Sequence, residues 1–248
     1  METNEPKLIL ESLYIETTRR CNMSCEHCMR GDAQASDLDP DILRPLLEQT
    51  DYIETIGFSG GEPSLNPNAI ASVLELCKEY HINVGNFYIV TNGKELSNQF
   101  LHTMMNWLLY TCGDPDMNGI ALSQDEYHEP IPWENRNKLQ LFSAFRPDDK
   151  KVDFHHNRYA RILNLGRATE LMDVEKQAEM QRSEYPRVIL DSEENLLQVH
   201  DKDFYVTVNG NILETGNYEY SEEDNITIAH ISDMETFRDY LNQYAEEY

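Results

Sequence analysis

Four short runs of strand-forming residues alternate with stretches of helical period, and this alternation limits the fold more than any other feature. The runs are Leu13-Tyr14-Ile15 leading to Thr17-Thr18, Thr55-Ile56-Gly57-Phe58, Phe87-Tyr88-Ile89-Val90 and Gly119-Ile120-Ala121-Leu122-Ser123. Between them, apolar residues recur at i, i+3 and i+4. That spacing predicts helices from Pro40 to Gln49 behind an Asp39 cap, from Asn68 to Tyr80, from Glu95 to Tyr110 and from Trp133 to Phe145. Ile70, Val73, Leu74 and Cys77 fall on one face of the second; Leu101, Met104, Met105, Leu108 and Cys112 form the stripe expected of the third. Strands that alternate with helices in this way build βαβ units around a parallel sheet.

Val152-Asp153-Phe154 and Ile162-Leu163-Asn164-Leu165 are weaker strand candidates, which brings the expected number of strands to six. A closed eight-fold barrel needs about 250 residues, and only about 160 carry the alternation. The expected fold class is therefore α/β: a partial (β/α)6 TIM-like barrel with a small α+β C-terminal extension. The division falls after Gly166-Arg167-Ala168, giving a core over residues 8–168 and an acidic extension over 169–248. In the extension, Thr169 to Arg182 is charged and helix-prone. Further on, Asn209-Gly210 separates Phe204-Tyr205-Val206-Thr207-Val208 from Asn211-Ile212-Leu213-Glu214, the signature of a type I′ hairpin.

Charge excludes one class of partner. With 20 Lys and Arg against 45 Asp and Glu, the 248-residue chain carries a formal charge of −25, which repels a phosphate backbone and argues against nucleic acid. No run approaches the roughly 18 to 20 apolar residues of a membrane helix. The N-terminal residues lack a basic region followed by an apolar one, so no signal peptide is expected. Five cysteines, an odd number, do not read as a disulfide framework, and a reducing cytoplasm is the expected location.

Three of those cysteines stand together in Cys21-Asn22-Met23-Ser24-Cys25-Glu26-His27-Cys28, a C-x3-C-x2-C arrangement just after the first strand. Structural zinc wants four ligands, commonly as two pairs, and no second pair is present. An iron–sulfur cubane normally takes four thiolates; with three, one iron keeps an open position, and an open position on a metal points to chemistry. About 30 residues on, after the second strand, comes Gly60-Gly61-Glu62-Pro63. Its glycines permit close backbone approach, and its carbonyls and Glu62 can accept from an ammonium group.

The two motifs together resemble the radical S-adenosylmethionine (radical SAM) superfamily, over roughly Leu13 to Ala168. The resemblance implies one [4Fe–4S] cluster on Cys21, Cys25 and Cys28, with S-adenosylmethionine bound at the fourth iron. It also implies that Gly60, Gly61, Glu62 and Pro63 receive the methionine amino group, and that Ser123 and Asp125 contact the ribose or methionine portion. His27, before the third cysteine, would lie near the adenine. Asn92, in Thr91-Asn92-Gly93, either belongs to the cofactor site or is part of a plain strand-end turn. Arg136 and Arg146 are two candidates for the cofactor carboxylate.

Other residues stay open between site and scaffold. Tyr127 and His128 could face a substrate or lie on a solvated loop, as could His155, His156, Arg158 and Tyr159. Arg167 touches the site or opens a helix. Cys77 and Cys112 read as buried structural thiols. The tail is similar in shape to SPASM and twitch extensions, but no cysteine follows Cys112, so a single cluster is expected.

The implied function is reductive cleavage of S-adenosylmethionine to a 5′-deoxyadenosyl radical. Its substrate would be a peptide or protein, or alternatively a small metabolite, and its electron would come from a reductant such as flavodoxin or ferredoxin. The competing reading is a non-catalytic iron–sulfur or zinc-binding protein serving electron transfer or regulation.

Overall fold

The computed structural model describes residues 5–124, 127–146, 163, 165–171 and 185–247. Its frame is one sheet. The parallel strands β1 (Lys7–Thr18), β2 (Thr50–Gly60), β3 (Asn83–Thr91), β4 (Gly119–Leu122) and β5 (Phe145–Arg146) follow one another in spatial order. On the other side of β1 the sheet continues through β7 (Leu196–Val206), β6 (Arg187–Asp191) and β10 (Ala245–Glu247), while β8 (Asn211–Leu213) and β9 (Thr227–His230) branch from β7. The α/β class and the parallel sheet expected from the alternation are thus present. The connections are α1 (Arg44–Glu48), α2 (Pro67–Glu79), α3 (Asn98–Tyr110), α4 (Trp133–Leu139) and α5 (Met234–Asn242).

Alternation along the strands separates two faces. Leu13 and Ile15, Ile56 and Phe58, Phe87 and Ile89, and Ile120 and Leu122 belong to the buried core that the helices cover. Trp107 of α3 packs 5.2 Å from Phe58, ring centre to ring centre, and its indole N–H donates to the Ile70 carbonyl at 3.2 Å. The helices start where capping chemistry places them. Asp39 accepts from the Asp41 N–H, Asn66 from Ala69 before Pro67, Ser97 from Phe100 and Asp233 from Thr236.

The opposite face carries a row of paired positions: Tyr205, Tyr14, Gly57, Tyr88 and Gly119. Each glycine is covered by a tyrosine of the neighbouring strand. A Cβ on Gly57 would stand 2.1 Å from the Tyr14 ring, and one on Gly119 2.3 Å from the Tyr88 ring. Gly57→Ala should therefore lower stability by about 1–3 kcal/mol in urea unfolding, because the Tyr14 ring has to shift to admit the methyl group.

Several expectations need correction. The first helix begins as a 3-10 turn over Pro40–Leu43, and α4 ends at Leu139, well short of Phe145. The buried stripe of α3 is Phe100, Thr103, Met104 and Trp107; Met105 is 45% exposed. Cys112 lies beyond the helix end, exposed, with its thiol on the Val84 carbonyl at 3.4 Å, whereas Cys77 is fully buried. Leu163 and Leu165 are not in a strand. Asn209 has no positive φ; the turn Thr207–Gly210 closes through the Gly210 N–H on the Thr207 carbonyl (3.0 Å), with Gly210 alone left-handed at φ 85°, so the type I′ turn is not formed. Val152-Asp153-Phe154, His155, His156, Arg158 and Tyr159 lie outside the described residues, as does most of the stretch from Thr169 to Arg182. Among the described residues, no helix is long and apolar enough to cross a membrane.

Candidate functional site

The carboxyl ends of β1 to β4 converge, and the loops that leave them carry the candidate residues. In parallel α/β sheets this edge is where ligands bind. β1 runs directly into the cysteine loop. Cys21, Cys25 and Cys28 are all half-buried and free of disulfides, and Met23 between them is 5% exposed. Burial pushes the Cys21 thiol above its ordinary value.

Gly60 and Gly61 lie against the exit of β1. The Gly61 N–H donates to the Thr18 carbonyl and the Glu62 N–H to the Arg20 carbonyl, both at 2.8 Å. A Cβ on Gly61 would sit 2.3 Å from the Arg20 oxygen, so no larger residue fits without moving backbone. Pro63 is buried at the start of a 3-10 turn that Glu62 caps.

Glu62 is 1% exposed and points inward, toward the end of β3. Its carboxylate accepts from the Thr91 hydroxyl (2.6 Å), the Asn92 N–H (2.7 Å) and the Ser64 N–H (3.0 Å). Burial raises its pKa, with those hydrogen bonds pulling the other way. Glu62 therefore ties the end of β2 to the end of β3, while the Glu62 and Pro63 carbonyls accept from the Leu65 and Asn66 N–H groups of the turn at 3.1 and 3.0 Å.

Asn92 then joins β3 to the cysteine loop. Its Nδ2 donates to Asn22 Oδ1 at 2.9 Å and lies 4.0 Å from Cys21 Sγ, while its Oδ1 accepts from the Lys94 N–H at 2.9 Å. The Ser123 N–H donates to the Thr91 carbonyl at 2.8 Å, which brings the end of β4 alongside. His27 stands 5.1 Å from the Tyr127 ring and 4.8 Å edge-on from His128, an aromatic group beside the third cysteine. Asp125 lies outside the described residues.

The two arginine candidates separate. Arg136 donates to Gln124 Oε1 at 3.1 Å, just past the end of β4. Arg146 instead grips the Asp116 and Asn118 carbonyls (2.6 and 2.9 Å), at the opposite end of that strand, away from the cysteines.

Sequence reading missed Lys94, whose Nζ bridges the Asn22 carbonyl (2.9 Å) and Glu129 (2.6 Å). It also left the role of Arg167 open. The Arg167 N–H donates to the Cys28 carbonyl and its Nε to the Cys25 carbonyl, both at 3.0 Å, with Asp32 on Nη1 at 2.9 Å. Nothing local in either residue signals these roles, because each partner lies in a distant loop.

Among the described residues, no group of three or more His, Cys, Asp or Glu side chains is gathered as a single-ion site. The fit to an iron–sulfur cluster rests on the donor set itself: three half-buried thiols on one short loop, which Asn92 and Arg167 contact from distant parts of the chain. Cys77 is unsuited, since burial pushes its thiol up to about 12.

Comparison with known proteins gives three kinds of match. Residues 15–108 match the model of the Radical SAM superfamily. An uncharacterized protein of Methanocaldococcus jannaschii is 29% identical over 94 residues, which are 36% of this chain and 32% of that protein. YydG of Bacillus subtilis, named for peptide biosynthesis, is 27% identical over 133 residues, 49% and 38% of the two chains. A Pyrococcus furiosus protein named as modifying the cofactor of tungsten-containing aldehyde ferredoxin oxidoreductase is 32% identical over 98 residues, 37% and 26%. The matched segments span about a third of the length of these curated relatives. In fold, the chain is similar to native anSMEcpe with bound AdoMet and the Cp18Cys peptide, with a TM-score of 0.56 and 14% identity, over 96% of this chain and 82% of that one.

Proposed function

From a chain whose residues 15–108 match the model of the radical SAM superfamily, we propose an enzyme of that superfamily that cleaves S-adenosylmethionine reductively to act on a peptide or protein substrate. The observation that carries the reading is the meeting of two independent motifs at one edge, with Asn92 linking Cys21 to the Glu62 carboxylate. When bound, one [4Fe–4S] cluster and S-adenosylmethionine supply a low-potential electron and the 5′-deoxyadenosyl radical it releases.

The chain's own residues hold and orient. Cys21, Cys25 and Cys28 ligate the cluster. The backbone of Gly60, Gly61, Glu62 and Pro63 takes the methionine ammonium, and Asn92, Ser123 and Asp125 border the rest of the nucleoside. His27, with Tyr127 and His128, offers an aromatic surface for the adenine. Arg136 is the cation for the carboxylate, since Arg146 is committed to the far end of β4. Residues 8–168 form the reacting core, and 169–248 an extension that braces it.

The peptide class is supported by the naming of YydG and by the peptide bound to the structural neighbour. The net charge of −25 favours a basic segment of that substrate. A flavodoxin or ferredoxin would deliver the electron in a cytoplasmic setting.

The test is anaerobic reconstitution with iron and sulfide. A brown chain should result, and adding S-adenosylmethionine should change the paramagnetic signal of its reduced cluster. Dithionite should then release 5′-deoxyadenosine. A chain that loads iron but leaves that signal and S-adenosylmethionine untouched would be an electron carrier, and a colourless zinc-bound chain would refute the reading altogether.

A further inference from the structure

Arg30, two positions after the third cysteine, has no part in ligation and yet is only 6% exposed. An arginine at that depth needs partners. Its Nη2 donates to the Tyr205 hydroxyl at 3.1 Å and its Nη1 to the Tyr218 carbonyl at 3.2 Å. The guanidinium lies 4.2 Å from the Tyr218 ring centre, 5.0 Å from that of Tyr205 and 6.0 Å from that of Tyr220. The Arg30 carbonyl accepts from the Tyr220 N–H at 3.4 Å. Every one of these partners belongs to residues 205–220, so the tail supplies a socket for the end of the cysteine loop.

The socket is itself fastened. Tyr205 is on β7, in register with Tyr14 of β1; the Tyr218 hydroxyl donates to Glu16 at 3.2 Å; and Arg19 lies 4.4 Å over the Tyr220 ring. A second grip meets the first. Besides the contacts of Arg167, Gly166 packs so closely that a Cβ there would stand 2.5 Å from the Cys28 carbonyl and 2.6 Å from that of Met29. The Gly166 N–H also donates to Glu219 at 2.6 Å, which joins the two grips.

We propose that Arg30 is a positioning residue: seated among Tyr205, Tyr218 and Tyr220, it fixes the downstream end of the cysteine loop before any cluster is present. Arginine suits this role because its planar fork reaches a hydroxyl and a carbonyl at once while its faces stack on the rings. The proposal rests on the reading that the three thiols receive a cluster. It goes further in making the distant tail a part of the cluster site.

The test is alkylation of the metal-free chain by iodoacetamide, read cysteine by cysteine by mass spectrometry. In Arg30→Met, Cys21, Cys25 and Cys28 should react about tenfold faster, since local opening becomes easier when the cation–π contacts and hydrogen bonds are lost. Cys77 and Cys112 should keep their rates. Tyr205→Phe, which deletes a single hydroxyl, should give about a two- to threefold acceleration at the same three sites and decides the matter should Arg30→Met fail to fold. Arg30→Lys keeps a cation over the rings and should recover part of the loss. After reconstitution, the reduced cluster of Arg30→Met should show a broadened paramagnetic signal. Wild-type rates at the three cysteines in both Arg30→Met and Tyr205→Phe would overturn the proposal. So would equal acceleration of all five cysteines, because the arginine would then support the fold as a whole. If wild-type protein took up no iron, the proposed function would fall, while the alkylation rates would still report whether the socket holds the loop.

Discussion

Alanine at Cys21, Cys25 or Cys28 should each reduce 5′-deoxyadenosine release to the background of a chain without cluster, and should remove most of the visible absorbance. The three thiols are the soft donors of one loop, and losing any one leaves too few ligands to hold a cubane while keeping one iron open. Cys77→Ala is the control: that side chain is 0% exposed in the core beside α3, so its loss should lower stability modestly and leave iron loading intact. Iron per chain, absorbance and nucleoside release, measured on the same preparations, separate these outcomes. A Cys25→Ala chain that still released the nucleoside would contradict the assignment of the loop.

Glu223→Ala should lower stability by about 1–3 kcal/mol. Glu223 is 3% exposed and pairs with Arg19, itself 4% exposed, and also accepts from the Thr207 hydroxyl (2.6 Å) and Asn211 Nδ2 (2.8 Å). On its other side Arg19 holds Glu16 at 3.0 Å, which accepts in addition from the Val208 N–H at 3.1 Å. Removing Glu223 leaves Arg19 its Glu16 countercharge but takes away the guanidinium's second partner and the acceptor of the Thr207 hydroxyl and Asn211 Nδ2, and buried donors left without an acceptor are costly. Burial alone would push the Glu223 carboxyl up, but the hydrogen bonds from Thr207, Arg19 and Asn211 together hold it below its ordinary value of 4.5. A carboxyl lowered in the folded state contributes stability that is fully present above the unfolded value and is lost as pH falls through the folded one. Urea midpoints taken from pH 6 downward should therefore fall through the acid range in wild type and flatten in Glu223→Gln. Equal acid sensitivity in the two would show that other carboxylates dominate.

What could be read from the sequence was whatever is specified locally. The strand runs and the ends of α2 follow from apolar period: α2 lies one residue from its expected bounds at each end, whereas β1 and β2 begin six and five residues before the runs that mark them. The cysteine loop and the Gly60–Pro63 segment stand out in the sequence because particular residues recur there at fixed short spacings, and the fold brings both to one edge of the sheet. The phase of α3 was not legible, because the bulkier Phe100 and Trp107 take the fully buried positions, Trp107 against Phe58 and Phe87, while Leu101 is only partly buried and Met105 exposed. The inward turn of Glu62 was hidden too, since its donors Thr91 and Asn92 lie about 30 residues away. The same holds for Arg30, Arg167 and Lys94. Each reads as an ordinary surface cation until the fold brings a partner from far along the chain.

The parallel pairing of β7 with β1 sets an order of assembly. β7 lies almost 190 residues after β1 in the chain, so β1 leaves the ribosome that much earlier than its neighbour on one side. At roughly 5–20 residues per second, that edge stays open for roughly 10–40 s of synthesis. Chaperones thus have an interval in which to shield it, and the cysteine loop acquires its contacts with Arg167, Tyr205 and Tyr218 only once those residues have emerged.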